Sequence, residues 1–540
     1  MSAATRARRL DEASSITVFE KGGYTSYANC GIPYALGGII EDDAALILHT
    51  PKDFKDRFNI DVQVNKEVIS IDRESHLVHV RMVGTEEIHQ VPYDKLILSQ
   101  GAEAFRPPID GVELDHVVTL QTIPDLQAIR AHLSDRGVLS VCIIGGGFIG
   151  LEAAENLSNL GLEVTMIEQL SHVLPPIDAN IAEVVHAELR RNGVKLFLSA
   201  TAKKIDRSRV VLTDGTEVPA ELVILVAGVR ARSALAKRAG LEIGRTGVKV
   251  DSHMQTSDPD IYAIGDVAET EHRIAGHPMV VTLAGPANRQ GRLAADHIFG
   301  KTVQYRGNVG TAVCRVFDLT VAIVGLSVAT LHRMGHDPLW ITVHTPDHAN
   351  YYPGACPITL KVAFERDTGR LLGAEAVGMA GVDKRIDVLA TAMQAGMTVF
   401  DLEHLELSYA PPYGSAKDPV NMAGFVGGNV LRGDCRIVHA EDLNVDELDR
   451  LQVVDVRSPK EFSRGHIPLA INVPVDSLRD RISVLDRARR VVVYCQVGYR
   501  GYLAYRILEQ EGFDVVNLDG GFKSVLDGAF KELHKAETTV

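Results

Sequence analysis

The 540-residue sequence has no stretch close to the roughly 20 unbroken apolar residues that a membrane-spanning helix needs. Its opening, Met1 to Ser15, lacks the apolar core of a secretion signal, so a cytoplasmic location and no membrane partner are expected. Cysteine is scarce and scattered: Cys30, Cys142, Cys314, Cys356, Cys435 and Cys495 form no CxxC pair, which fits neither a disulfide scaffold nor a structural zinc site. Positive charge is short as well. With 56 Lys and Arg against 70 Asp and Glu the net charge is −14, which argues against a nucleic-acid surface. What is present is ordinary for a globular chain, 46% hydrophobic and 23% charged residues. At about 100 to 200 residues per domain, this length calls for two to four separate cores.

The most informative run is Ser140-Val-Cys-Ile-Ile-Gly-Gly-Gly-Phe-Ile-Gly150, a buried strand running into a glycine turn and a helix. Gly145, Gly147 and Gly150 stand in GxGxxG spacing, and a second strand, Glu163 to Glu168, ends in an acid where a carboxylate would hold a ribose. Together they make a βαβ dinucleotide unit. No arginine directly follows Glu168, which favours NADH over NADPH without deciding between them. The run Leu222 to Arg230, with Gly228, closes this domain, and Asp260-Ile-Tyr-Ala-Ile-Gly-Asp266 reads as another buried strand ending in an aspartate placed to meet sugar or ribitol hydroxyls. From about residue 310 the pattern changes to alternating strands, Arg315 to Ala322 and Thr359 to Phe364, then an amphipathic helix from Lys384 to Met397. Gly427-Gly428 and the polar run Arg432 to Cys435 mark a boundary, beyond which an α/β module of its own is expected.

Three pieces taken together resemble a known family: Tyr27-Ala-Asn29-Cys30-Gly31-Ile-Pro33-Tyr34, the mid-chain GxGxxG, and the strand ending in Asp266. The order is similar to the single-cysteine branch of the pyridine nucleotide-disulfide oxidoreductases, most closely the coenzyme A disulfide reductases fused to a rhodanese domain. The resemblance implies an α/β chain with two Rossmann-like nucleotide-binding domains, the FAD domain (1–110 and 241–308) being interrupted by the NAD(P)H domain (111–240). An α+β dimerisation domain (309–430) and a C-terminal α/β rhodanese domain (434–540) follow. It implies FAD, NADH or NADPH, coenzyme A as a substrate moiety, and a homodimer. Glu20, Gly101 and Asp266 correspond to FAD-binding positions, with Gln100 a departure. The family also carries a strand and a further GxGxxG ahead of the segment that here reads Ser2 to Leu10, so the expectation is a start codon placed downstream of the true one.

Cys30 is the expected redox centre. A loop gives way there to a helix start, and a helix N-terminus lowers a thiol from about 8.5 toward neutrality. Hydride from NAD(P)H would pass through FAD to a mixed disulfide between Cys30 and the substrate, and no second cysteine is spaced to resolve it internally. In the resembled reductases Arg6, Arg8, Arg9, Ser26 and Asn29 match positions that contact coenzyme A, with Asn288, Arg292 and Lys417 as further candidates. The run Leu407 to Pro419 resembles an interface motif in which Tyr409, with Tyr351, would donate a phenolic hydrogen bond to the leaving thiolate. Near the C-terminus, Cys495-Gln-Val-Gly498-Tyr-Arg500 resembles the rhodanese CxxGxR loop, implying a persulfide at Cys495 with Arg500 closing the loop or binding an anion. Cys142, Cys314, Cys356 and Cys435 receive no role, and no metal is expected. Two other readings stay open: an NADH oxidase or peroxidase using a Cys30 sulfenic acid, against which Asn29 stands where such enzymes carry serine, and a non-enzymatic sulfur-binding protein deficient in FAD.

Overall fold

The computed structural model describes residues 1–528. The end of the expected rhodanese domain, 529–540, lies outside the described residues. Contacts divide the chain into two units, one of residues 1–170 and 193–308, the other of residues 171–192 and 309 onward. No helix among the described residues is long and apolar enough to cross a membrane.

In the first unit a five-stranded parallel sheet has the order Lys195–Phe197, Glu163–Ile167, Ser140–Ile144, Leu222–Leu225, Val117–Val118. The central strands Ser140–Ile144 and Leu222–Leu225 are near-continuous apolar runs, the pattern of strands covered on both faces, and Cys142 is fully buried among them. Two shorter parallel pairs stand beside this: Thr17–Glu20 with Asp61–Val64, and Leu96–Leu98 with Ile261–Ala263. The helix Ser2–Leu10 runs along Ala284–Ile298, joined by an ion pair of Arg6 with Asp296 at 2.6 Å.

The second unit holds two sheets of opposite character. One is antiparallel, in the order Ala312–Val316, Leu319–Gly325, Leu371–Gly378, Pro357–Glu365, Pro338–Pro346, with its apolar face packed against Val382–Gln394 and Pro419–Leu431. The other is parallel, in the order Ile437–Val438, Val515–Leu518, Val491–Tyr494, Gln452–Asp455, Ile471–Asn472, with an apolar cluster on each face. This is the α/β and α+β architecture expected from the sequence.

Three local expectations are corrected. The strand expected over Arg315 to Ala322 is two strands of a hairpin, because Phe317 takes a left-handed φ of 52° and pairs Val316 with Leu319 across the turn. Gly427 and Gly428 do not mark a boundary. They lie inside the helix Pro419–Leu431, where a Cβ would come within 2.4 Å of Val399 and 2.0 Å of Glu403, so glycine there permits close packing. Cys435, expected in a linker, is 4% exposed and belongs to the core of the parallel module.

Candidate functional site

The glycine turn is built for a dinucleotide. Gly145 has φ +117°, and a Cβ on it would lie 2.4 Å from the Val226 carbonyl oxygen. A Cβ on Gly150 would lie 2.1 Å from the Gly145 carbonyl oxygen, so the helix can sit this close to the strand only without side chains. Gly147, the N-cap of the helix Phe148–Asn159, has no protein atom within 4 Å of its missing Cβ, which leaves its backbone open to an approaching phosphate. Glu168, just past its strand, is 7% exposed and accepts from the N–H of Gly146 at 2.7 Å and of Leu170 at 2.8 Å. Gly228 lines a small cavity with Ile149 and Gln121, and through Val229 this adjoins a cavity of about 570 Å³ walled by Arg230, Ser233, Arg245 and Thr282. These residues fit NAD(P)H.

The expected FAD residues fall at strand ends of the two parallel pairs. Glu20 closes Thr17–Glu20 and accepts from Gly22 N–H at 2.6 Å. Gly101, at φ +66°, follows Leu96–Leu98, and Asp266 follows Ile261–Ala263. Burial pushes the Asp266 carboxyl above its ordinary range.

Cys30 lies in the short turn Asn29–Gly31, ahead of the helix Ile32–Leu36 that Pro33 helps to start. The turn is held by Ala28 N–H donating to the Leu46 carbonyl at 2.8 Å. Cys30 is exposed, with Asn29 Oδ1 4.0 Å from its sulfur. The helix Ile32–Leu36 packs on Phe148–Asn159 so tightly that a Cβ on Gly37 would lie 2.1 Å from Asn156 Oδ1. This packing brings in a residue that motif reading missed. Glu152, two residues past Gly150, accepts from the Tyr34 hydroxyl at 3.0 Å, and burial pushes its carboxyl up. The expected thiol shift is also corrected: partial burial, then the carboxylates of Glu152 and Asp266, push the Cys30 thiol up rather than down. A five-residue helix beginning two positions later contributes too little to offset them.

The candidate substrate residues of this unit divide. Arg9 is exposed, while Ser26 and Asn29 share the Cys30 loop. Arg6 is tied to Asp296, and Asn288 accepts from Ser2, so both sit at the seam between their helices. Arg292 reaches Asp296 only at 3.9 Å. Arg8 is corrected: it is 4% exposed and its guanidinium donates to the carbonyls of Phe58, Asn59, Asp11 and Glu12, which uses it up in holding the chain.

In the second unit Tyr351 and Tyr409, 58 positions apart, meet hydroxyl to hydroxyl at 2.8 Å, both exposed. Their loops are clamped by Arg385, 1% exposed, which donates to the Asp347 carbonyl at 2.6 Å and to the Asp418 carboxylate at 2.8 Å. Ala349 N–H donates to the Gly414 carbonyl at 3.1 Å across the same seam. Lys417, beside Asp418, is exposed.

Cys495 follows the strand Val491–Tyr494 and is 1% exposed, at the mouth of a turn that ends in the helix Tyr499–Gln510. Arg500 reaches Cys495 and is gripped by Glu461 at 2.6 and 2.9 Å, which lowers the Glu461 carboxyl to about 2. Arg457 is held by the buried Asp455 and donates to Gln496 Oε1 at 3.0 Å. The loop is therefore flanked by two guanidinium groups, Arg500 toward Cys495 and Arg457 toward Gln496, each paired with a carboxylate.

Known proteins share these features. The model for pyridine nucleotide-disulphide oxidoreductases matches residues 1–291, that for their dimerisation domain 311–418, and that for rhodanese-like domains 440–527. A coenzyme A disulfide reductase of Staphylococcus aureus is 35% identical over 424 residues, 78% of this chain and 96% of that protein. Among solved structures, reduced CoADR-RHD from Bacillus anthracis matches with 41% identity and a TM-score of 0.96, over 99% of this chain and 96% of that one. An NAD-dependent persulfide reductase from A. fulgidus matches with 38% identity and a TM-score of 0.91, over 97% of both chains. A water-forming NADH oxidase from Lactobacillus brevis matches 80% of this chain and 97% of its own, at 26% identity and a TM-score of 0.76. The chain belongs to the pyridine nucleotide-disulphide oxidoreductases.

Proposed function

We propose that this chain is an FAD- and NAD(P)H-dependent reductase of coenzyme A disulfide, coenzyme A persulfide or polysulfide, working through a mixed disulfide at Cys30. The observation that carries the reading is that Cys30 is the exposed cysteine among the described residues, on a turn leading into the helix Ile32–Leu36 that packs on Phe148–Asn159, with no second cysteine beside it. When bound, FAD and NAD(P)H supply the two electrons.

The residues of the chain do the rest. The Cys30 thiolate attacks one sulfur of the substrate, the S–S bond breaks, and one thiolate leaves; reduction of the mixed disulfide then frees the second thiol and restores Cys30. Glu152 and Tyr34 form a hydrogen-bonded pair able to hold a proton near that sulfur. The Tyr351–Tyr409 pair supplies a phenolic donor for the leaving thiolate, in a homodimer. Arg9, Ser26 and Asn29 are the residues of the first unit proposed to meet coenzyme A, with Arg6, Asn288 and Lys417 as lesser contributors. Cys495 carries sulfane sulfur, with Arg500 beside it. A cytoplasmic setting belongs to the same reading. The sulfenic-acid oxidase reading is weaker, since its relative covers 80% of the chain while the two reductase-type structures cover nearly all of it.

The test is the visible spectrum of the purified chain under anaerobic conditions. A flavin band that bleaches with NADH and returns with coenzyme A disulfide or polysulfide, only while Cys30 is intact, is the expected result. Return with oxygen or peroxide alone would reassign the chain to the oxidases.

A further inference from the structure

The strand Pro338–Pro346 is the outer strand of the antiparallel sheet, so one row of its backbone groups has no strand partner. The segment Asp519 to Ser524 of the parallel module meets that edge at Thr342 and His344. Thr342 N–H donates to the Asp519 carboxylate at 3.0 Å, and both residues are buried. His344 shares a hydrogen with Ser524 Oγ at 3.1 Å through Nε2, while its Nδ1 is engaged by Thr359 Oγ1 at 2.9 Å. Alongside, the Trp340 ring stacks on His439 at 4.0 Å, and His439 lies 3.4 Å from Asp519.

The opposite side of the same segment carries the sulfur loop. Phe522 N–H donates to the Cys495 carbonyl at 2.8 Å, and Lys523 N–H to the Gln496 carbonyl at 2.9 Å. The Phe522 ring lies 4.3 Å from the Arg457 guanidinium that also holds Gln496. Gly521 has φ +67°, and a Cβ there would lie 2.5 Å from the Cys495 carbonyl oxygen; one on Gly520 would lie 2.9 Å from His344 Nε2. The segment therefore lies against both partners with bare backbone.

A trans peptide places its N–H opposite its C=O. Tying the carbonyls of Cys495 and Gln496 to this segment turns the N–H groups of Gln496 and Val497 the other way, into the curl of the loop that a sulfur anion needs. We propose that Asp519 to Ser524 is a bracket through which Thr342 and His344, on the edge of the antiparallel sheet, hold the Cys495 loop in its sulfur-accepting geometry. Thr342 and His344 are then positioning residues for sulfur transfer, and the module is seated on the sheet rather than carried as a free arm. The proposal rests on the reading that Cys495 carries sulfane sulfur.

The test uses the full chain with thiosulfate as the sulfur donor. The Cys495 thiolate takes the outer sulfur, the thiosulfate S–S bond breaks, and sulfite leaves with the bonding pair; cyanide then removes the sulfur as thiocyanate. His344→Ala is expected to slow sulfite release about tenfold, and His344→Gln, which keeps a hydrogen-bonding group, to recover it to within about threefold. Alkylation of Cys495 by iodoacetamide, followed by mass spectrometry across pH, should move to higher pH in His344→Ala, an effect that lost stability alone does not produce. If His344→Ala melts earlier but leaves both sulfite release and the Cys495 alkylation profile unchanged, the bracket is packing only and the proposal is overturned. If His344→Ala fails to fold, Ser524→Ala decides by the same two readouts, a loss in the same direction supporting the bracket and no change overturning it. A parent chain that alkylates normally at Cys495 but releases no sulfite would sink the sulfur-carrier reading, and the alkylation profiles would still decide the bracket.

Discussion

The two cysteines proposed to react sit in opposite surroundings. Cys30 is exposed on a turn between short elements, where partial burial of the thiol, and after it the carboxylates of Glu152 and Asp266, push it up. Cys495 is 1% exposed, in a loop of backbone flanked by Arg457 and Arg500. An open cysteine suits a large substrate that brings its own leaving thiol, whereas a closed loop of backbone around a buried cysteine suits a single small sulfur. The contrast matches the two roles proposed for them, reduction at Cys30 and sulfur carrying at Cys495.

Exchanging the functions by mutation is the most severe way to break this contrast. Cys30→Ser should lower NADH-driven reduction of coenzyme A disulfide by about a thousandfold or more while sparing thiocyanate formation from thiosulfate, and Cys495→Ser should do the reverse. Both rates falling together in either variant would mean that the two cysteines share one reaction.

Next in size is the buried clamp behind the tyrosine pair. Arg385→Leu strands the Asp418 carboxylate, with side chains 2% and 4% exposed, and should cost about 3 to 5 kcal/mol, read as an earlier thermal unfolding transition. Tyr409→Phe should be milder, an approximately tenfold loss of kcat toward the disulfide with KM little changed, because it removes a donor felt only by the departing thiolate. A change in KM alone would make the pair a binding feature.

The smallest effect probes electrostatics at Cys30. A carboxylate near a thiol disfavours the thiolate, so removing it must lower the thiol pKa. Glu152→Gln should therefore shift iodoacetamide alkylation of Cys30 to lower pH. A shift to higher pH would mean that Glu152 is protonated there and acts as a hydrogen-bond donor to the sulfur.

Much of the first contrast could be read along the chain. Cys30 in its eight-residue setting, the CxxGxR loop around Cys495, and Gly145, Gly147 and Gly150 are each contiguous, so the motifs can be read from neighbours in sequence, although distant groups tune them. What escaped reading comes from distant segments. Glu152 reaches the Cys30 region because Ile32–Leu36 packs on Phe148–Asn159. Arg8 looked like a ligand-binding cation and proved to be a carbonyl clamp, since nothing in its own helix reveals that Phe58 and Asn59 come beside it. The Gly427-Gly428 pair looked like a break and proved to be a packing face, because a helix accepts glycine where a neighbour comes too close for a Cβ.

By itself, then, the sequence determined the α/β and α+β classes and the glycine turn between strand and helix, consequences of strand and helix periodicity and of short loops whose backbone needs are local, and it singled out the two cysteines by their motifs. Only the tertiary structure decided that Tyr351 meets Tyr409, that Arg385 closes their loops, and that one face of Asp519 to Ser524 meets a sheet edge while the other meets the Cys495 loop. Those contacts join residues far apart in sequence. Their formation depends on how strands align and helices settle on a common core, which no local pattern encodes.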